Sequence, residues 1–134
     1  MGLLAPYTEK IYALFRIMAG LLMLQHGTQK ILGWLGGVPE GVPAFIQYGA
    51  GSIELVGALL VAIGLFTGPA AFLLSGTMAA AYFMGHAFNP QSNPTGSLIP
   101  TINGGELSAL YCFAYLFIAA KGSGTWSVDA ARVK

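Results

Sequence analysis

Charge is what this sequence has least of. Only 8% of its residues are Asp, Glu, Lys or Arg, against 55% that are hydrophobic, whereas soluble domains carry about 25% charged residues. The deficit fits lipid as the solvent and argues against an ordinary soluble domain. The formal net charge is +1, so there is no basic face to recruit nucleic acid, and no such partner is expected. Cysteine is the second shortage. Cys112 stands alone, which excludes an intrachain disulfide, and no Cys-x-x-Cys or Cys-x-x-Cys-His supplies a redox dithiol or an attached haem. A Gly-rich phosphate loop, a nucleophile motif, an internal repeat and a low-complexity segment are missing as well. No cleavable signal is evident. Glu9 and Lys10 precede the first apolar run, and no small-residue site separates that run from a soluble domain. The run is expected to remain in the fold.

What the chain does have is apolar segments of spanning length. Four are expected as membrane spans, at about 10–32, 51–66, 69–86 and 103–120, three of them near the lower limit of about 17 residues. Gly36, Gly37, Pro39, Gly41 and Pro43 mark a loop after the first. The short apolar stretch Pro43 to Tyr48 reads as a one- or two-turn interfacial helix ended by Gly49 and Gly51. Thr67-Gly68 reads as a tight turn, with Pro69 in the first turn of the next helix. Pro90, Pro94 and Pro100 mark another loop, and 121–134 is a polar tail expected at the membrane surface. Gly57 with Gly64, and Gly76 with Ala80, are spaced for close helix packing in lipid. The expected architecture is a single all-α domain over 1–134, an integral membrane four-helix bundle running antiparallel, up-down-up-down.

The first segment, Ile11 to Leu35, is not clean. It carries Arg16, then Gln25, His26, Gln29 and Lys30. Residues four apart stack on one side of a helix, which pairs Gln25 with Gln29 and His26 with Lys30. Ionisable groups in a spanning helix are expensive and face a bundle interior or water. If the spans alternate, His26 and Lys30, Glu54, His86, and Asn103 with Glu106 share one membrane face. Lys10, Lys121, Arg132 and Lys134 lie at the other, so both termini are expected to be cytoplasmic. His26, Lys30, Glu54, Asn103 and Glu106 are then expected to line one outward-facing polar pocket, with Gln29 and His86 at its edge. The competing arrangement is a closed, mutually satisfied network.

Each of these residues has a plain alternative. Arg16 caps carbonyls or pairs with a carboxylate, and Glu54 is the expected partner, ahead of Glu106. Glu54 and Glu106 shuttle protons or serve as hydrogen-bonded glue. His26 titrates, ligates a metal, bonds a quinone carbonyl or sits solvated at the interface. His86 is a solvated span-end histidine. Tyr82, Tyr111 and Tyr115 are packing or interfacial residues, and Cys112 is deep enough to be inert. Two His and two Glu offer donors for iron or zinc, but the Glu-x-x-His pair of di-iron bundles is missing. No metal site is expected, and a haem held by His26 and His86 is the one geometry left for that group.

The segments FRIMAGLLMLQHGTQKILGW, IELVGALLVAIGLFTGPAAF and NGGELSALYCF resemble the DoxX family of small four-helix bacterial membrane proteins. Arg16, His26-Gly27, Lys30, Glu54 and Asn103-Gly104-Gly105-Glu106 carry the resemblance, which covers nearly all of the chain. Many relatives have a basic residue where this chain has Gly68. The resemblance implies a bacterial inner-membrane protein associated with an oxidoreductase. A quinone has two carbonyl acceptors and takes up protons on reduction, and His26, Lys30, Glu54 and Glu106 beside aromatic rings supply donors and proton carriers. The leading expectation is a subunit or partner of a quinone-linked oxidoreductase. Electrons would come from a partner protein or soluble donor, and a homo-oligomer is allowed. The alternatives are a non-enzymatic accessory or assembly protein, and a small-molecule carrier.

Overall fold

A computed structural model of the chain describes residues 2–133. Lys134, counted above among the basic tail residues, lies outside them. The long run after Pro6 contains no further proline until Pro39, so nothing interrupts α1, Thr8–Ile31. The next helix, α2, is Gly51–Ile63, and a π-helical stretch, Phe45–Ala50, leads straight into it. Helix α3, Thr67–Ala81, likewise continues into a π-helical stretch, Tyr82–Ala87. A short α4, Pro100–Asn103, precedes α5, Glu106–Lys121, and α6, Val128–Arg132, ends the chain. The described residues form no strands.

The four long helices alternate in direction. Gly27 of α1 lies against Leu55 of α2, and Gly20 against Ala62. Ser75 of α3 donates to the Cys112 carbonyl of α5 at 2.7 Å, while Gly105 approaches Tyr82. Tyr115 of α5 donates to the Ala19 carbonyl of α1 at 2.6 Å. The core between them holds Met23, Val61, Leu74, Met78, Tyr115 and Ile118. One helix among the described residues, Phe45–Ile63, is long and apolar enough by itself to cross a membrane, with 19 residues at a mean hydropathy of 1.6.

Several expectations are corrected here. Gly49 and Gly51 do not end a short interfacial helix, because both sit inside continuous helical backbone. A Cβ on Gly51 would lie 2.8 Å from the Lys30 side chain, so this glycine allows close approach to α1. Gly76 faces open space, and the tightest helix contact is made by Gly20 and Gly27. A Cβ there would lie 2.6 and 2.5 Å from the Ala62 and Leu55 backbones. The turn between α2 and α3 comes before Thr67, at Gly64 and Phe66, whose φ values are 73° and 48°. The fourth long helix starts at Glu106, because Gly104 breaks the backbone with φ 77°.

Residues 122–133 fold back over the end of the bundle formed by the start of α1 and the α2–α3 turn. Arg16, 0% exposed, donates to the carbonyls of Val61 (3.1 Å), Ser123, Thr125 (3.1 Å) and Trp126 (2.7 Å). Arg16 is therefore a carbonyl cap and is not paired with Glu54. Glu54 belongs to the opposite end of the antiparallel pair, roughly 20 Å away along α1 at the standard rise per residue.

Asp129 completes the docking by capping α3 from a distance. It accepts from the Phe66 N–H (3.1 Å), the Thr67 N–H (3.2 Å) and the Thr67 hydroxyl (3.3 Å). Partial desolvation pushes its pKa up. The Thr67 and Phe66 N–H groups, the Thr67 hydroxyl and nearby Arg132 outweigh that and hold it below the ordinary value. A carboxylate with a depressed folded pKa stabilises fully above its unfolded pKa and loses that contribution as pH falls through the folded value. Removal of the cap by Asp129→Ala is expected to cost about 1 kcal/mol near neutral pH. In acid, the stability difference between the two proteins should shrink. Thermal unfolding of both across the acid range checks this, and a gap that stays constant down to strong acid would contradict it.

Candidate functional site

At the other end of the bundle, the end of α1, the start of α2, the end of α3 and the start of α5 meet. The antiparallel order brings Lys30 to Glu54. Lys30 Nζ donates to both carboxylate oxygens, at 2.6 and 2.8 Å. The Glu54 side chain is 2% exposed and that of Lys30 21%. A pair this poorly solvated persists only where geometry and hydrogen bonds offset desolvation, and the two-oxygen contact supplies both.

The pair stands between two cavities. The smaller, about 210 Å³, is lined by His26, Lys30, Glu54, His86, Ser108 and Tyr111, with Met78, Ala81 and Leu107. The larger, about 440 Å³, is an apolar groove between the two π-helical turns. Phe45, Ile46, Gly49 and Ala50 come from one side, and Met84, Gly85 and His86 from the other. Lys30, Glu54, Ala81 and His86 border both spaces. A π turn is rare and tends to occur at functional sites; here two of them form the walls of one groove.

Around the smaller cavity the His26 ring meets Tyr111 edge-on at 6.3 Å, and Tyr111 stacks on Tyr115 at 5.8 Å. Among the described residues, no protein group hydrogen-bonds either imidazole. A lysine ammonium has three donors, and Glu54 takes two of them. One donor is left for another molecule, and the pair itself carries no net charge. No cluster of three or more metal-type ligands occurs among the described residues.

The structure brings together four of the residues singled out in the sequence: His26, Lys30, Glu54 and His86. Three others fall away from the cavity. Asn103 is buried but occupied in its own corner. Its Oδ1 accepts from the Gly105 N–H at 2.9 Å, and its Nδ2 donates to Tyr82 and to the Ser97 carbonyl. Its role is to shape the α4–α5 break. Glu106 accepts from the Thr101 hydroxyl at 3.0 Å on an exposed surface, because the late start of α5 turns its first residue outward. Gln29 reaches towards the Leu35 carbonyl at 3.5 Å. Tyr111 and Ser108 were missed as cavity residues. Ser108 had no sequence signal, and Tyr111 had only its spacing from Tyr115.

Comparison with known proteins matches this sequence to one family. The family model described as DoxX covers residues 11–87, a range that supplies His26, Lys30, Glu54 and His86. An uncharacterized protein of Haemophilus influenzae is 37% identical over 134 residues, 96% of each chain. A Bacillus subtilis protein named "Putative oxidoreductase CatD" is 33% identical over 86 residues, 55% of this chain and 64% of its own. No solved structure matches significantly.

Proposed function

The chain belongs to the DoxX family, and on that premise we propose that it is a multi-pass inner-membrane protein whose cleft binds the ring of a quinone, as the membrane part of an oxidoreductase. The four long helices span the bilayer as an up-down-up-down bundle, with both termini cytoplasmic and the cleft end outward. Their outer faces support this. Leu14, Met18, Val56, Leu59, Phe72, Leu110 and Phe113 are all exposed, so each long helix presents large apolar side chains outward, as lipid-facing helices do. The basic residues support the orientation, since Lys10, Lys121 and Arg132 lie at the tail end and Lys30 at the cleft end.

The observation that carries the functional reading is the Lys30–Glu54 pair, held out of water and yet bordering both cavities. A charge-neutral pair with one spare donor suits an uncharged carbonyl head better than a phosphate or a carboxylate. His26 and Tyr111 face the same space and offer further donors. The name of the Bacillus subtilis relative supports an oxidoreductase association. In this reading the chain orients the ring and delivers protons at its oxygens through Lys30 and His26. A partner protein or soluble donor supplies the electrons.

Titrating a short-tailed quinone analogue into the purified protein in lipid nanodiscs tests the proposal. His26→Ala is expected to weaken binding about tenfold, a loss of about 1.4 kcal/mol. Glu106→Gln, outside the cavity, is expected to bind like the wild type. Absence of wild-type binding would leave the accessory or assembly role as the better reading.

A further inference from the structure

We infer that the apolar groove between the two π-helical turns seats the hydrocarbon tail of the ligand, so that the site admits long-chain amphiphiles sideways from the bilayer. This rests on the quinone-ring reading above and adds the other half of the molecule. The smaller cavity, at about 210 Å³, falls short of the roughly 300–1,000 Å³ of small-molecule sites. The groove, at about 440 Å³, lies within that range. Lys30, Glu54, Ala81 and His86 line both. A head that meets Lys30 therefore has the apolar groove directly beside it.

The groove's walls are built for a chain and not for a second polar group. Phe45, Ile46, Ile53, Ala80 and Met84 contribute hydrocarbon, and Gly49 and Gly85 leave room between them. Lys30, Glu54 and His86, at the shared end, carry its charged and titratable groups. Phe45 is 65% exposed and Met84 53%, so the groove opens on the outer face of the bundle, between α2 and α3. In the bilayer that face meets lipid, where a tail is already dissolved. The π turns explain why a groove exists at this place. An i→i+5 turn is wider than an α turn, and two facing each other disturb the close α2–α3 packing seen nearer the turn at Gly64, where Gly57 lies against Leu74.

The experiment compares a decyl-substituted benzoquinone with its tailless parent ring, each titrated into the full chain in nanodiscs and corrected for partition into lipid. The wild type is expected to bind the decyl compound at least about tenfold more tightly, a preference that comes from packing contacts along the groove, since lipid has already taken the methylenes out of water. Ala80→Phe fills the groove from an exposed position. It should remove most of that ratio and leave the affinity for the tailless ring within about twofold, the precision expected when no contact to the head changes. His26→Ala should weaken both ligands and preserve the ratio. An unchanged ratio in Ala80→Phe, and again in Thr77→Phe on the same wall, would overturn the tail assignment while the ring reading stood. If the wild type bound neither compound, both readings would fall.

Discussion

Replacing Arg16 with methionine is expected to release residues 122–133 from the bundle before it disturbs the long helices. The guanidinium is fully buried and gives its donors to four backbone carbonyls on two separate parts of the chain. Hydrogen bonds to a charged group contribute about 1.5–3 kcal/mol each. Three of the acceptors can recover water once the tail lifts off, so the net loss should be about 3–5 kcal/mol rather than the sum. Lysine is no substitute, because its point charge lacks the planar fork that reaches several acceptors at once. Arg16→Lys should recover little of the loss. Trypsin reads the effect directly. Lys121, the last residue of α5, is tied to Glu9 at 2.9 Å and lies over the Tyr12 ring, and the bond after it joins that helix to the tail. Cleavage after Lys121 should quicken strongly in Arg16→Met, with the bundle still folded. An unchanged cleavage rate would contradict the role given to Arg16.

The second large effect belongs to Lys30. Lys30→Met keeps the apolar stem of the side chain, removes the ammonium and leaves the Glu54 carboxylate buried without its partner. Breaking a buried pair from one side typically costs about 3–5 kcal/mol. Adding Glu54→Gln removes the stranded charge, so Lys30→Met with Glu54→Gln should be clearly more stable than Lys30→Met alone. Residues in direct contact show coupling of about 0.5–3 kcal/mol. Thermal unfolding of the two single variants and the double variant measures it, and strict additivity would contradict the pairing. The double variant should still fail to bind a quinone analogue, which separates the pair's structural role from its use.

The alternating direction of the helices was legible because the chain carries so few charges that each one marks a position. Topology alone brought His26, Lys30, Glu54 and His86 to one end. The same topology also puts Glu54 beside Lys30 and away from Arg16, yet two opposite charges in a sequence do not declare which pair forms. The true partners of Arg16 were hidden for a different reason. They are backbone carbonyls of the tail, and every residue has one, so nothing in the letters marks them. Asn103 and Glu106 misled because a two-residue break at Gly104 and Gly105 decides which way the first turn of α5 faces. The π turns left only faint traces, at Gly49 and Gly85. Glycine there reads equally well as a helix end.

The central claim is that one ligand lies with its head at Lys30, Glu54 and His26 and its tail between Phe45 and Met84. Photolabelling the full chain in nanodiscs with an azidoquinone, followed by peptide mapping, tests it most directly. The account predicts adducts within 26–30, 45–54 and 77–86, suppressed by excess unlabelled quinone. Competed adducts confined to the Arg16 end, within 8–16 or 117–126, would contradict it.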